Sequence, residues 1–222
     1  MLLKAILFDL DGVITDTASC HFLAWRHLGR RYRLIVKPSM EVALRGIPRL
    51  AALTLILNEN KMCHRFSDAE MSRLCDEKNT YYNQLIAKMS ETDILPGMLA
   101  FLRACKASEL KLGLVSSSLN APKILEKIGL TAYFDCIVDP RTVAEGKPSP
   151  DIFLKAVTQL GVSVTDCIGI EDAASGIAAI NAAGISLSGL VVKQYFQKQI
   201  CYSETRVSYH LSCLTKETPF TR

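Results

Sequence analysis

The sequence predicts an α/β fold: a doubly wound parallel-sheet (Rossmann-like) core with an inserted all-helical cap domain. Three observations carry this. Short, continuously apolar runs recur along the chain, helical patterns ending at glycines lie between them, and one long segment after the first run offers helices alone.

The first run, Lys4 to Asp9, reads KAILFD. Apolarity without alternation is the signature of a strand buried on both faces. Similar runs follow at Lys111 to Ser116, Asp135 to Val138 and Cys167 to Ile170. Helical patterns separate them: Leu99 to Cys105 with flanks, Ala121 to Ile128, Pro150 to Leu160 and Ala173 to Ala183, the last three closing at Gly129, Gly161 and Gly184. Strand and helix in alternation require crossover connections and a parallel sheet. From Thr17 to Glu91 the patterns are helical, at Cys20 to Arg31, Arg49 to Leu57 and Ser67 to Met89, the last opening on a Ser67–Glu70 capping box. Residues 1–16 and 92–192 are therefore expected to form the core, 17–91 the cap, and 193–222 a divergent tail with weak periodicity. Gly176 to Val192 is too polar for a membrane span and reads as helix, turn and buried strand.

The 222 residues include 49% hydrophobic and 22% charged side chains, which excludes a largely disordered chain. The formal net charge is +4, three units of it in the last thirty residues, so the rest lacks the basic patch of a nucleic-acid binder. Eight cysteines without a C-x-x-C pair, and an N-terminus that is acidic where a signal peptide needs apolar residues, predict reduced, mostly buried thiols in a cytoplasmic protein that binds neither nucleic acid nor membrane.

In an open parallel sheet, ligands bind beyond the carboxyl ends of the strands. Reading off the residues there gives Asp9, Asp11 and Gly12, then Ser116, Ser117 and Ser118, then a loop reaching Lys147-Pro148, then Glu171 and Asp172. Four carboxylates in one place repel unless a cation holds them, and all-oxygen ligands suit Mg2+. Serine hydroxyls and a lysine ammonium facing the same ion are phosphate partners. No G-x-S-x-G elbow or Cys/His pair offers another nucleophile, and an aspartate can form an acyl phosphate. Asp9 and Asp11, two apart in an extended segment, can approach one phosphorus from the same side while Leu10 points into the core. Singly each residue has an ordinary reading: Lys147 as a surface lysine, Ser116 as a turn residue, Glu171-Asp172 as a helix cap. Their joint order is the specific signal.

Those motifs, FDLDGVITDT, Leu44-Arg45-Gly46-Ile47-x-Arg49, Lys78-Asn79, Ser116 to Ser118 with Asn120-Ala121-Pro122, Lys147-Pro148-x-Pro150 and Gly169-Ile170-Glu171-Asp172, resemble the haloacid dehalogenase superfamily and, within it, the β-phosphoglucomutase branch, over Met1 to Gly189. The resemblance implies Asp9 as nucleophile and Asp11 as general acid/base, with Ser116 and Lys147 orienting the transferring phosphate. It implies Mg2+ held by Asp9, the Asp11 carbonyl and Asp172, with Glu171 beside them. Arg49, Gly46 and Ile47 of the cap, and Ser118, Leu119 and Asn120 of the core, would contact substrate. Thr17, His21 and Lys78 would couple cap closure to Asp11. Read without the resemblance, His21 is an ordinary partly buried histidine, and Arg49 and Lys78 are exposed helix charges.

The implied reaction interconverts β-D-glucose 1-phosphate and glucose 6-phosphate through β-glucose 1,6-bisphosphate, in a monomer whose cap hinges near Thr15 to Ser19 and Ser90 to Pro96. A sugar-phosphate phosphatase and a non-catalytic sugar-phosphate binding protein are the alternatives. Leu119 stands where some members of the family carry a lysine, so phosphate grip on that side must be built differently. The tail does not resemble the family's closing strand and helix.

Overall fold

The computed structural model describes residues 3–187; the tail expected at 193–222 lies outside them. Five parallel strands form one sheet: β1 (Ala5–Phe8), β2 (Lys111–Leu114), β3 (Cys136–Ile137), β4 (Cys167–Ile170) and β5 (Ser186–Leu187), in the order β3-β2-β1-β4-β5. The chain winds outward from β1 to β3 and then returns to the other side of β1. That reversal places the switch-point crevice, where such folds bind ligands, beside the carboxyl end of β1.

β1 shows why an apolar run means a central strand. Ile6 and Phe8 enter one core cluster, with Phe101, Leu102 and Ile124 of the helices α4 (Met98–Ala107) and α5 (Ala121–Lys127). Ala5 and Leu7 enter the opposite cluster, with Phe153 and Ala156 of α6 (Asp151–Leu160) and Ala179 and Ile180 of α7 (Ala174–Ala182). The ladder residues of β3 are Cys136 and Ile137, and the flanking N–H groups of Asp135 and Val138 donate to the Leu112 and Leu114 carbonyls of β2 at 2.8 and 3.0 Å, so the whole run Asp135 to Val138 lies along the sheet. The Asp135 side chain also accepts the backbone N–H of Leu112 and an ion pair from Lys106. The helix, turn and strand expected beyond Gly176 are α7, Gly184 and β5.

Between β1 and α4 the described residues form no strand. The helices α1 (Ala18–Tyr32), α2 (Arg49–Glu59) and α3 (Asp68–Ile86) share an apolar cluster of their own, including Trp25, Leu28, Leu53, Ile56 and Leu74. Leu53 is fully buried in it, so truncation to alanine costs about 2–5 kcal/mol. The capping box at α3 is present: the Glu70 N–H donates to Ser67 Oγ, and the Ser67 N–H donates to Glu70 Oε2 at 2.8 Å. The far end of α3 reaches the sheet, where Tyr82 and Ile86 join the first core cluster.

The two chain crossings into and out of the helical segment touch each other. Thr15 bridges Ile94, its hydroxyl donates to the Asp93 carbonyl at 2.7 Å, and the Leu95 N–H donates to the Ile14 carbonyl at 2.9 Å. Six cysteines lie in the described residues and all are free; Cys75, Cys105 and Cys167 are buried, Cys20 and Cys136 half-buried and Cys63 exposed. No helix among the described residues is long and apolar enough to cross a membrane.

Candidate active site

Beyond the carboxyl end of β1 the chain turns sharply. Gly12 takes φ +79°, its N–H donates to the Thr15 carbonyl at 2.7 Å, and the N–H groups of Ile14 and Thr15 return to the Leu10 carbonyl. This turn presents Asp9 and Asp11 to one side while Leu10 is fully buried. The Asp11 N–H donates to Asp9 Oδ2 at 3.0 Å.

Lys147 arrives from the loop after β3 and is 3% exposed. Its Nζ donates to Asp9 Oδ1 and to Glu171 Oε2, each at 2.7 Å. Burial opposes its charge, but the two carboxylates outweigh burial and push its pKa up to about 12. Glu171, at the end of β4, is buried too, and burial together with Asp9 raises its pKa to about 7 against the pull of Lys147. Asp11 is raised well above the ordinary carboxylate value, first by burial and then by Asp9, and its Oδ1 is buried without a hydrogen-bond partner. A carboxyl group whose proton is held more tightly than usual is suited to general acid/base work.

Ligand oxygens of Asp9, Glu171 and Asp172 lie within 4.8 Å of one another. Such an all-carboxylate set is chemistry for a hard divalent cation. The Asp172 carboxylate packs so closely on Gly12 that a Cβ there would overlap it. Both Glu171 oxygens are engaged, Oε2 by Lys147 and Oε1 by the N–H groups of Asp172 and Ala173 at 3.2 and 3.1 Å. The donor set of Asp9, Glu171 and Asp172 therefore fits a metal ion, and Glu171 also braces the loop through these bonds.

Ser116, just past β2, is buried, and its Oγ accepts the Ser118 N–H at 3.1 Å. A cavity of about 480 Å³ opens above this floor, lined among others by Asp9, Asp11, Ser116, Ser118, Leu119 and Asp172 from the core. From the helical side Gly46, Ile47, Arg49, His21 and Lys78 line the same cavity. Gly46, at φ +69°, lies against Ala173 and Ser175, and its carbonyl receives the hydroxyls of Ser117 and Ser175 at 3.5 and 3.4 Å. Leu119 stays 47% exposed.

Lys78 departs from the reading as an exposed helix charge. It is 2% exposed, its Nζ lies 2.6 Å from His21 Nδ1, and it stands over the rings of Trp25 and Tyr82 at 5.1 and 4.7 Å. Burial, with Arg49 nearby, lowers its pKa to about 7. Burial and Lys78 hold His21 well below its ordinary value, and its ring stacks on Tyr82 at 4.0 Å. Thr17, also buried, stands at the N-cap position of α1 without a side-chain cap bond, and its carbonyl accepts the His21 N–H at 2.9 Å.

Asn120 and Arg49 meet through Asn79, which belongs to the Lys78-Asn79 motif but to which the sequence assigns no role. Asn79 Oδ1 accepts from Arg49 Nη2 and from Asn120 Nδ2, both at 2.9 Å. Its signal in the sequence is the Lys78-Asn79 pair among the motifs that carry the resemblance.

Residues 3–184 match the family model described as haloacid dehalogenase-like hydrolase. The chain is 46% identical over 188 residues to a β-phosphoglucomutase of Bacillus subtilis (strain 168), covering 85% of this chain and 83% of that one. It is 32% identical over 182 residues to a fructose-1-phosphate phosphatase of Escherichia coli (strain K12), covering 81% and 92%. Among solved structures, a β-phosphoglucomutase from Clostridium difficile superposes with a TM-score of 0.84 at 36% identity, over 96% of this chain and all of that one.

Proposed function

The chain belongs to the haloacid dehalogenase-like hydrolase family, and from that membership and the geometry of its site we propose that it is a phosphomutase interconverting β-D-glucose 1-phosphate and glucose 6-phosphate. The observation that carries this reading is the cavity itself. It brings Asp9 and Asp11 of the core, with Lys147 bonded to Asp9, together with Arg49 of the helical segment around one space, which in this reading takes a sugar with a phosphate at each end. The 46% identity to the Bacillus subtilis enzyme supports it.

In this reading Asp9 attacks phosphorus and takes the phosphoryl group as an aspartyl phosphate, leaving the sugar oxygen to be protonated. Asp11, whose carboxyl holds its proton more tightly than an ordinary carboxylic acid because it is buried beside Asp9, gives a proton to that oxygen and takes one back from the attacking sugar hydroxyl in the other half-reaction. Lys147 balances charge on the transferring oxygens, and Ser116 orients them. Asp9, the Asp11 carbonyl and Asp172 would hold Mg2+, with Glu171 beside them. When bound, the ion supplies compensation for phosphoryl charge. Arg49 holds the phosphate at the far end as a planar fork, with Ser118 and Asn120 on the core side and Gly46 and Ile47 beside the sugar. His21, Lys78 and Thr17 tie the roof to the Asp11 turn. Residues 17–91 act as a lid that excludes water while the bisphosphate turns over, which separates a mutase from a phosphatase.

The test is a coupled assay with β-D-glucose 1-phosphate, Mg2+ and a trace of glucose 1,6-bisphosphate, following glucose 6-phosphate and free phosphate together. Glucose 6-phosphate without matching phosphate release, abolished by Asp9→Asn, is the expected result. Phosphate release alone would reassign the protein to the phosphatases.

A further inference from the structure

Arg49 opens α2 and has two neighbours on α3. Its Nη1 stands 3.9 Å from Asp76, a carboxylate 77% exposed, where an ion pair contributes little. Its Nη2 donates to Asn79 Oδ1 at 2.9 Å. The same oxygen accepts Asn120 Nδ2 at 2.9 Å, and Asn120 belongs to the core, at the start of α5. A guanidinium can only donate, so the atom Asn79 turns towards it is oxygen, and Asn120 must then present its amino group. One amide oxygen thus fixes the fork of an arginine in the helical segment and the flip of an asparagine in the core.

We propose that Asn79 is a positioning residue for the phosphate that is not being transferred, acting through Arg49 and aligning its guanidinium when the helical segment meets the core loop at Asn120. A guanidinium carries five N–H donors, so one spent on Asn79 leaves enough for a bidentate phosphate. The dependence is sharpened by Leu119, which lines the same cavity and brings no charge. With a neutral leucine at that position, and Arg45 and Arg141 as the other arginines lining the cavity, the grip on the distal phosphate depends more heavily on how Arg49 is aligned. The sugar's identity rests on the mutase reading; the role of Asn79 requires only a substrate with two phosphates.

The experiment compares two phosphoryl donors to Asp9 in the full-length protein with Mg2+: glucose 1,6-bisphosphate, which has a distal phosphate, and acetyl phosphate, which has none. Asn79→Leu is expected to raise the half-saturating bisphosphate concentration about tenfold, the loss of one hydrogen bond to a charged group. Its rate with acetyl phosphate should stay within about twofold. In an Arg49→Ala background Asn79→Leu should add less than about twofold, because the residue acts through the arginine. Equal losses on both donors, an unchanged bisphosphate requirement, or full additivity with Arg49→Ala would each overturn the proposal. If Asn79→Leu does not fold, Asn79→Ser, too short to bridge, is judged by the same criteria. Failure of the mutase reading shows separately, as wild-type protein that takes phosphate from the bisphosphate yet makes no glucose 6-phosphate from β-D-glucose 1-phosphate.

Discussion

Lys147 Nζ lies 2.7 Å from Asp9 Oδ1, both side chains being nearly sealed from solvent. The same ammonium is bound to Glu171, so one buried cation offsets part of the charge of a three-carboxylate cluster that also includes Asp172. Lys147→Met would leave those carboxylates facing one another. Breaking a buried pair from one side costs about 3–5 kcal/mol, and the loss of charge balance at the phosphoryl group should lower kcat by about 10²–10³. Denaturant melts in chelator and in Mg2+ check the first point: the divalent ion should restore part of the stability, while activity stays low.

Asp11 is separable from Asp9 chemically. Asp11→Asn keeps the shape of the turn and removes the titrating proton, so turnover of sugar phosphates should fall by about 10²–10⁴. Acetyl phosphate has a leaving group that needs no proton, so it should still phosphorylate Asp9. Mass spectrometry of the rapidly quenched protein reads the adduct. Equal loss with both donors would remove Asp11 from the acid/base role.

Gly12 meets Asp172 so closely that a methyl group has no room. Gly12→Ala must displace that carboxylate, and the φ of +79° adds about 1 kcal/mol of backbone strain. Affinity for Mn2+, followed by its paramagnetic signal, should drop at least about tenfold in a protein whose circular dichroism is unchanged. Unaltered metal binding would mean that Asp172 does not hold the ion.

The buried Lys78 predicts a pH dependence with a definite sign. Unfolded, it keeps its proton up to the ordinary 10.5; folded, it releases it above about 7. Between those values the unfolded state binds the extra proton, so Lys78 makes the fold more stable as pH rises from about 7 towards 10.5. His21, held below its ordinary 6.5, acts in the same sense at lower pH, withdrawing stability as pH falls below 6.5. Lys78→Met should therefore stabilise the protein at pH 7 by on the order of a few kcal/mol, a gain that shrinks towards pH 10. Urea melts at the two pH values measure it, and a gain independent of pH would point to packing instead of charge.

Lys78 also marks how far the sequence could be read. The sheet was legible because each central strand is apolar on both faces, and the site floor because its residues follow those strands in order. Burial of Lys78 was not, since Trp25 and His21 come from α1 and Tyr82 lies a turn further along α3. A lysine in a helix gives no local sign that another helix will cover it. Asn79 was hidden for the same reason, its meaning lying in Arg49 and Asn120, 30 and 41 residues away.

Leu119 offers the most direct test of how the distal phosphate is gripped. It lines the cavity while 47% exposed, so a longer side chain there has room to extend into solvent-accessible space without disturbing the core. Leu119→Lys would add a cation facing the same cavity as Arg49. In a half-exposed setting one such pair contributes about 0.5–1 kcal/mol, so KM for β-D-glucose 1-phosphate should fall about two- to fivefold, with kcat nearly unchanged. The gain should weaken as ionic strength is raised, because screening acts on exposed charges. It should also be larger in an Arg49→Ala background, where one competing cation is removed while Arg45 and Arg141 still line the cavity. If Leu119→Lys instead raises KM for this substrate, the leucine is packing against the sugar, and the natural substrate carries an apolar face there that glucose lacks.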